Sequence, residues 1–255
     1  MQQETTTIVG GRLAPPVDLI RDASLFLDFD GTLVDIADRP EAVIVSDRLL
    51  GTLAALESAL PGRVAIVTGR PLAQIAALLE IPQLVFSGSH GAEMLWPDGS
   101  RRDAQPPAWL APTRSRLETF GRSRPGVLVE TKPFGIALHY RQAPDEERAC
   151  RSFAENLAEA SDIEVLHGKM VVELRMLGAD KGAAVATFMN EPPMAGTRPL
   201  VFGDDVTDEA AFAMARKLGG AGVLVGADRP SAARYRLEGV TETIDWLAAA
   251  TEAAA

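Results

Sequence analysis

Asp28 and Asp30 stand two residues apart at the end of the apolar run Leu25-Phe26-Leu27, and Gly31-Thr32 follows them. Residues i and i+2 of a strand share a face, so the two carboxylates start out pointing the same way, and Gly31 lets the chain bend around whatever they hold. Two like charges at that spacing are costly unless one carries a proton or a cation lies between them. Mg²⁺, which takes oxygen ligands, meets that need. The same residue types also make an ordinary solvated turn, and the segment by itself leaves both readings open.

Three further clusters narrow the choice. Gly203-Asp204-Asp205-Val206-Thr207-Asp208-Glu209 follows Leu200-Val201-Phe202 and holds four acids in six residues. Thr207 suits a helix cap, and Asp208 and Glu209 suit a helix N-terminus, but Asp204 and Asp205 precede the helix and are not explained by it. Thr68-Gly69-Arg70 offers a hydroxyl and main-chain N–H groups to a phosphate oxygen, or is simply a loop. Lys181, in Asp180-Lys181-Gly182, opens a helix at the end where a cation is disfavoured, so it meets an anion there or remains a surface lysine. Carboxylates for Mg²⁺, a hydroxyl and a lysine for phosphate, and one carboxylate left to attack make a phosphoryl-transfer site.

The elements that must carry these clusters can be read from periodicity. A strand over 24–29 precedes a helical pattern through Leu49, Leu50, Leu53, Leu56 and Leu60, which Pro61-Gly62 stops. Val64-Ala65-Ile66-Val67 reads as a strand buried on both faces, Pro71 opens a helix over 71–80, and Leu84-Val85-Phe86 is a third strand. The rhythm returns with helix 180–190, strand 199–202, helix 207–217, strand 222–225 and a helix near 241–250. This is an open α/β sheet, whose ligands bind at the carboxyl ends of the strands, where all four clusters fall. Between its halves, a Pro- and Arg-rich passage and a helix lead to strands 127–131 and 136–141, helix 145–160, and strands near 163–167 and 170–175. That order predicts a small α+β domain inserted into the α/β domain, with residues 1–23 as a loose lead-in that includes a short helix after Pro15-Pro16.

A chain of 255 residues makes one large domain or two modest ones, and 24% charged with 47% hydrophobic residues is ordinary for a soluble globular protein. The net charge of −10 argues against nucleic acid or an anionic membrane as partner, while leaving room for a small anionic substrate. Cys150 is the only cysteine, which excludes an intrachain disulfide, and no apolar stretch approaches a membrane span. The start of the chain lacks the basic and then apolar layout of a signal peptide. The expectation is a monomeric cytoplasmic protein.

Taken in order, Asp28-x-Asp30-Gly31-Thr32, Thr68, Lys181 and Gly203-Asp204-Asp205 resemble the four motifs of the haloacid dehalogenase superfamily of phosphatases. The longer motif through Thr207-Asp208-Glu209, together with Ser89-His90-Gly91-x-Glu93 and Glu130-x-Lys132 … His139-Tyr140-Arg141, is similar to the trehalose-6-phosphate phosphatase family, over residues 24–245. The resemblance implies a Rossmann-like core over 1–104 and 177–255, and an inserted αββαββ cap of the C2 type over 105–176 that closes over the sugar. It implies Mg²⁺-dependent hydrolysis of trehalose 6-phosphate, with Asp28 as nucleophile forming an aspartyl-phosphate and Asp30 as acid and then base. Thr68 and Lys181 would bind the phosphoryl oxygens. Asp28, the Asp30 main-chain carbonyl and Asp204 would hold the metal, with Asp205 and Asp208 close by. Arg70, His90 and Glu93 on the core, and Glu130, Lys132, His139, Arg141, Lys169 and Glu173 on the cap, are the candidates for substrate binding; each cap residue reads equally as part of a charged solvent face. Related phosphatases for other sugar phosphates share this core. A non-enzymatic phosphoacceptor would lack both the inserted domain and an acid two residues after the acceptor.

Overall fold

The unbroken apolar runs become strands covered on both faces, in a computed structural model that describes residues 8–9, 11–37, 42–159, 162–168 and 170–254. The chain divides into two compact units, Met1–Arg102 with Asp180–Ala255, and Asp103–Ala179. Numbered along the chain, the strands of the larger sheet are β1 (Ile8–Val9), β2 (Arg12–Leu13), β3 (Ala23–Leu27), β4 (Val64–Val67), β5 (Val85–Gly88), β6 (Glu93–Leu95) and β7 (Arg101–Asp103). After the inserted segment the same sheet gains β12 (Arg198–Gly203), β13 (Ala221–Val225) and β14 (Tyr235–Leu237), while β8 (Leu128–Lys132), β9 (Gly135–His139), β10 (Ile163–Gly168) and β11 (Val171–Met176) form a sheet of their own.

The order in the larger sheet is β1-β2-β14-β13-β12-β3-β4-β5-β6-β7, with the run from β14 to β5 parallel throughout. The parallel part of the sheet therefore begins in the middle at β3, steps outward through β4 and β5, then returns to lay β12, β13 and β14 on the other side. Such a reversal splays the two connections leaving β3 and β12 apart and opens a crevice at the carboxyl ends of those strands. Strand alternation fills both faces. Leu25 and Leu27 pack with α1 (Asp47–Ala59), α2 (Leu72–Leu79) and α7 (Val240–Ala254), whereas Phe26 packs with α5 (Lys181–Met189) and α6 (Glu209–Lys217).

The inserted unit follows the expected αββαββ order: α3 (Leu110–Arg122), β8, β9, α4 (Glu147–Ala158), β10, β11. Its strands are antiparallel in the order β10-β11-β9-β8. Ile136, Leu138, Val172 and Leu174 turn to a core shared with Leu117 of α3 and with Cys150, Ala154 and Leu157 of α4. Their neighbours along the strands carry the polar residues of the opposite face.

The lead-in corrects one expectation. The short helix after Pro16 is there as a 3₁₀ turn, Val17–Ile20, but Ile8–Val9 and Arg12–Leu13 pair as a hairpin, and Leu13 joins β14 at the sheet's edge. Strands of two or three residues carry no periodicity to read, which hides β6, β7 and β14 from the sequence pattern as well. Among the described residues, no helix is long and apolar enough to cross a membrane.

Phe202 of β12 is fully buried, with its ring 5.1 Å from that of Trp246. Replacing it with alanine removes that packing next to the strand that leads into Asp204. Phe202→Ala is expected to cost about 3–5 kcal/mol, read as a lower midpoint in urea unfolding.

Candidate active site

Asp28 follows β3, and its main-chain N–H still donates to Phe202 O at 3.0 Å, so its backbone stays registered on β12. The chain then turns sharply. Phe29 O accepts from Thr32, Leu33 and Val34, while Gly31 N donates to Val34 O at 2.7 Å. Gly31 has φ +87°, and a Cβ there would lie 2.2 Å from Asp204 Oδ2, so both conformation and space demand glycine. The turn thus brings the post-β3 loop against the post-β12 loop.

Lys181 is the first residue of α5, whose N-terminus is capped by the Asp180 carboxylate accepting from Ala183 N at 2.8 Å. Its Nζ donates to Asp28 Oδ1 at 2.6 Å and to Asp208 Oδ1 at 2.7 Å, and the ammonium is almost fully buried. Asp208 Oδ2 accepts the main-chain N–H groups of Asp204 at 3.1 Å and Asp205 at 3.0 Å. One carboxylate therefore fixes both the lysine and the loop. Asp28, Asp204 and Asp208 each bring an oxygen to within 4.8 Å of the others. Asp204 Oδ1 is buried without a hydrogen-bond partner. Three carboxylates, one with an unsatisfied oxygen, make an all-oxygen donor set that fits Mg²⁺.

The electrostatics follow from this crowding. Burial, together with Asp208 and Asp204, holds the Asp28 carboxyl well above its ordinary range despite the opposing pull of Lys181. Asp204 is pushed up to about 6, first by burial and then by Asp208. Burial works against the Lys181 ammonium, but Asp208 and Asp28 more than offset it and hold its pKa above the ordinary lysine value.

Asp30 faces a different partner. Arg70 Nε and Nη2 each lie 2.7 Å from one of its carboxylate oxygens, a bidentate pair, and the guanidinium sits 5.4 Å from the Phe29 ring centroid. Buried Thr68 accepts from Arg70 N at 3.2 Å through Oγ1, and its carbonyl accepts from His90 N at 3.0 Å. Ser89 and His90 both adopt positive φ, 48° and 57°, which brings His90 back over the loop after β4.

Glu93 is buried and spends both carboxylate oxygens inside the protein. Oε2 accepts from Leu72 N at 3.0 Å and Ser89 Oγ at 2.7 Å, and Oε1 accepts from Arg101 at 3.1 Å. The substrate role expected for Glu93 meets a carboxylate that already ties the start of α2 to the loop after β5.

Of the residues expected around a metal, Asp28, Asp204 and Asp208 come together, while the Asp30 carboxylate turns to Arg70. Asp205 is exposed; its carboxylate accepts from Val206 N at 2.7 Å and caps the 3₁₀ turn Val206–Asp208 in a reciprocal box with Asp208. The cap expected at Thr207 is thus Asp205, because that 3₁₀ turn precedes α6.

On the inserted unit, three cross-strand pairs share one sheet face. Glu130 Oε2 accepts from His139 Nε2 at 2.8 Å, Lys132 Nζ meets both oxygens of Glu173 at 3.0 Å, and Arg175 Nε donates to Glu164 at 2.9 Å. The hydrogen bond from His139 holds the Glu130 carboxyl below its ordinary range. Ala137 and Gly135 of β9 stand between Glu130 and Glu173 and between Lys132 and Arg175, so their small size lets Lys132 reach across the strand. Arg141 is exposed beyond β9, and Lys169 lies outside the described residues. Pattern reading missed Glu164, whose alternation on β10 opposite Arg175 was the available signal. It also missed Arg229, which bonds the Asp204 and Asp205 carbonyls and is marked by no motif.

This fold, a parallel sheet whose strand-order reversal carries an acidic cluster and a buried lysine, is the one seen in a haloacid dehalogenase-like hydrolase from Bacteroides thetaiotaomicron, with a TM-score of 0.65 over 90% of this chain and 98% of that one at 19% identity. The C-terminal domain of Candida albicans trehalose-6-phosphate phosphatase has that fold, with a TM-score of 0.81 over 94% of this chain and 97% of that one at 22% identity. Residues 26–241 match the family model for trehalose-phosphatase. A probable trehalose-phosphate phosphatase of Sinorhizobium fredii is 42% identical over 82% of this chain and 79% of its own length. The trehalose-6-phosphate phosphatase of Escherichia coli is 37% identical over 89% and 86%. The chain belongs to the trehalose-phosphatase family, and is a phosphoric monoester hydrolase.

Gly31 is the position where this geometry is least forgiving. Gly31→Ala forces a Cβ onto the Asp204 carboxylate and strains the turn, with an expected stability loss of about 1–2 kcal/mol. Because it displaces a carboxylate of the cluster, phosphate release should fall roughly 100-fold, which a steady-state assay beside a thermal melt would check.

Proposed function

We propose that this enzyme hydrolyses trehalose 6-phosphate to trehalose and phosphate, through an aspartyl-phosphate on Asp28 and with Mg²⁺ as cofactor. The observation that carries the chemistry is Asp28 itself: a buried carboxylate at the sheet's switch point, bonded at 2.6 Å by Lys181 and next to an acidic cluster that calls for a cation. The names of the relatives, at 37–42% identity, support the choice of sugar.

In the first step an Asp28 oxygen bonds to phosphorus as the bond to the sugar oxygen breaks, and Asp30 gives that oxygen a proton. In the second, Asp30 takes a proton from water, the water oxygen attacks phosphorus, and Asp28 is released as phosphate leaves. Arg70 orients Asp30 through its bidentate pair. Lys181 and Thr68 stabilise charge on the phosphoryl oxygens, the lysine keeping its proton throughout because its two aspartates hold its pKa high. Mg²⁺, held by Asp28, Asp204 and the Asp30 main-chain carbonyl beside Asp208, would neutralise the carboxylates so that an anion can approach. Asp205 shapes the loop that presents Asp204.

Sugar recognition is assigned to the polar face of the inserted unit: Glu130, Lys132 and Glu173 first, with His139, Arg141 and Lys169, and to His90 on the core. Glu93 acts by holding the loops around it. The reading includes a monomeric cytoplasmic enzyme with a small sugar phosphate, and not nucleic acid or membrane, as its partner; the net charge of −10 supports the last point.

Phosphate release from a panel of sugar phosphates should favour trehalose 6-phosphate by at least about 100-fold in kcat/KM, and a stronger preference for another ester overturns the assignment. Asp28→Asn should lower turnover by more than about 1,000-fold while the protein still folds, and residual activity above that level counts against covalent catalysis.

A further inference from the structure

The carbonyl side of the Asp204–Asp205 loop is held from outside the motifs. Arg229 lies in the loop after β13, and its Nη2 donates to Asp205 O at 2.7 Å and to Asp204 O at 3.3 Å. Its Nη1 pairs with the Glu209 carboxylate at the start of α6, and the second Glu209 oxygen accepts from Ala232 N at 2.7 Å. With side-chain exposures of 24% and 29%, Arg229 and Glu209 are largely shielded from competing water. The loops after β12 and β13 are therefore joined through one guanidinium.

The peptide between Asp204 and Asp205 is fixed at both ends. Its carbonyl accepts from Arg229, and its N–H donates to Asp208 Oδ2 at 3.0 Å. A peptide unit is planar and rotates as a piece. Asp204 cannot re-aim its carboxylate by turning that plane unless one of these bonds breaks. Asp208 is committed to Lys181 as well, so Arg229 is the tether on this peptide with no direct tie to the reacting groups.

We propose that Arg229, held by Glu209, is a positioning residue that fixes the aim of the Asp204 carboxylate and so sets the affinity of the acidic site for a divalent cation. This rests on reading Asp28, Asp204 and Asp208 as a cation site. Partners one step removed from the ligands typically change metal affinity by about 10- to 100-fold.

The test is calorimetric titration of Mg²⁺ alone into the full chain without substrate, for wild type, Arg229→Ala, Arg229→Lys and Glu209→Gln. Arg229→Ala should weaken the Kd by about 10- to 100-fold, and Glu209→Gln by a smaller factor. Arg229→Lys should fall between wild type and alanine, since an ammonium can hold a carbonyl but cannot reproduce the guanidinium fork. In turnover the same shift should appear in the Mg²⁺ concentration for half-maximal rate and not in kcat at saturation. Kd values for Arg229→Ala and Glu209→Gln within about twofold of wild type overturn the clamp, even if both variants melt earlier, since that is the signature of a tether serving stability alone. Should Arg229→Ala not fold, Glu209→Gln decides by the same criterion. A wild type that takes up no Mg²⁺ overturns the cation site itself, and the clamp with it.

Discussion

Three carboxylates crowd one buried ammonium at the carboxyl ends of β3 and β12, and much of the surrounding structure is arranged around that imbalance. Taking each ion out of water costs several kcal/mol, and Lys181 alone cannot offset Asp28, Asp204 and Asp208 together. The raised pKa values of Asp28 and Asp204 express the shortfall. Such a site is stable only when its carboxylates are pinned. Asp208 is held by two main-chain N–H groups, Asp28 by its register on β12, and Asp204 by a turn too tight for any side chain at position 31. Repulsion of this kind is what a divalent cation relieves.

The sequence disclosed the parts of this arrangement that depend on local pattern. The double-sided strands showed as unbroken apolar runs, and Asp28, Asp204 and Lys181 showed as charges where a strand end or helix start gives them no ordinary purpose. What stayed hidden depends on which residues meet. Asp208 read as a helix-terminus acid and, through the family resemblance, as a neighbour of the metal, but its bond to Lys181 did not show. Asp205 read with the metal residues because it precedes the helix that would have explained it, but a 3₁₀ turn ahead of α6 gives its carboxylate a capping role. Arg229 carries no local signal at all, since its partners are carbonyl oxygens 24 and 25 residues earlier.

The inserted unit was legible in outline for the same reason: two hairpins and two amphipathic helices have strong periods. Its function was less so. Alternation puts Glu130 with Lys132 and Glu173 with Arg175 on one face, but only the register shows that Lys132 reaches Glu173 across the small residues of β9. These side chains are already bonded to one another. On the proposed reading, a sugar hydroxyl exchanging into that row would meet groups whose geometry is set beforehand, which limits the side-chain entropy lost on binding.

The outward-and-back order of the strands also governs when a nascent chain can acquire this centre. β3 lies in the middle of the sheet, but its neighbour β12 is not made until the whole inserted unit has been translated, and Asp28 and Lys181 are 153 residues apart. At a synthesis rate of about 5–20 residues per second, that separation corresponds to roughly 8–30 s. Through that interval the strand that leads to Asp28 has β4 and β5 on one side and a bare hydrogen-bonding edge on the other. The inserted unit, whose contacts are nearer in sequence, has time to fold first and to shorten the path that must close. Catalytic competence then arrives late in biogenesis, when β12 covers that edge.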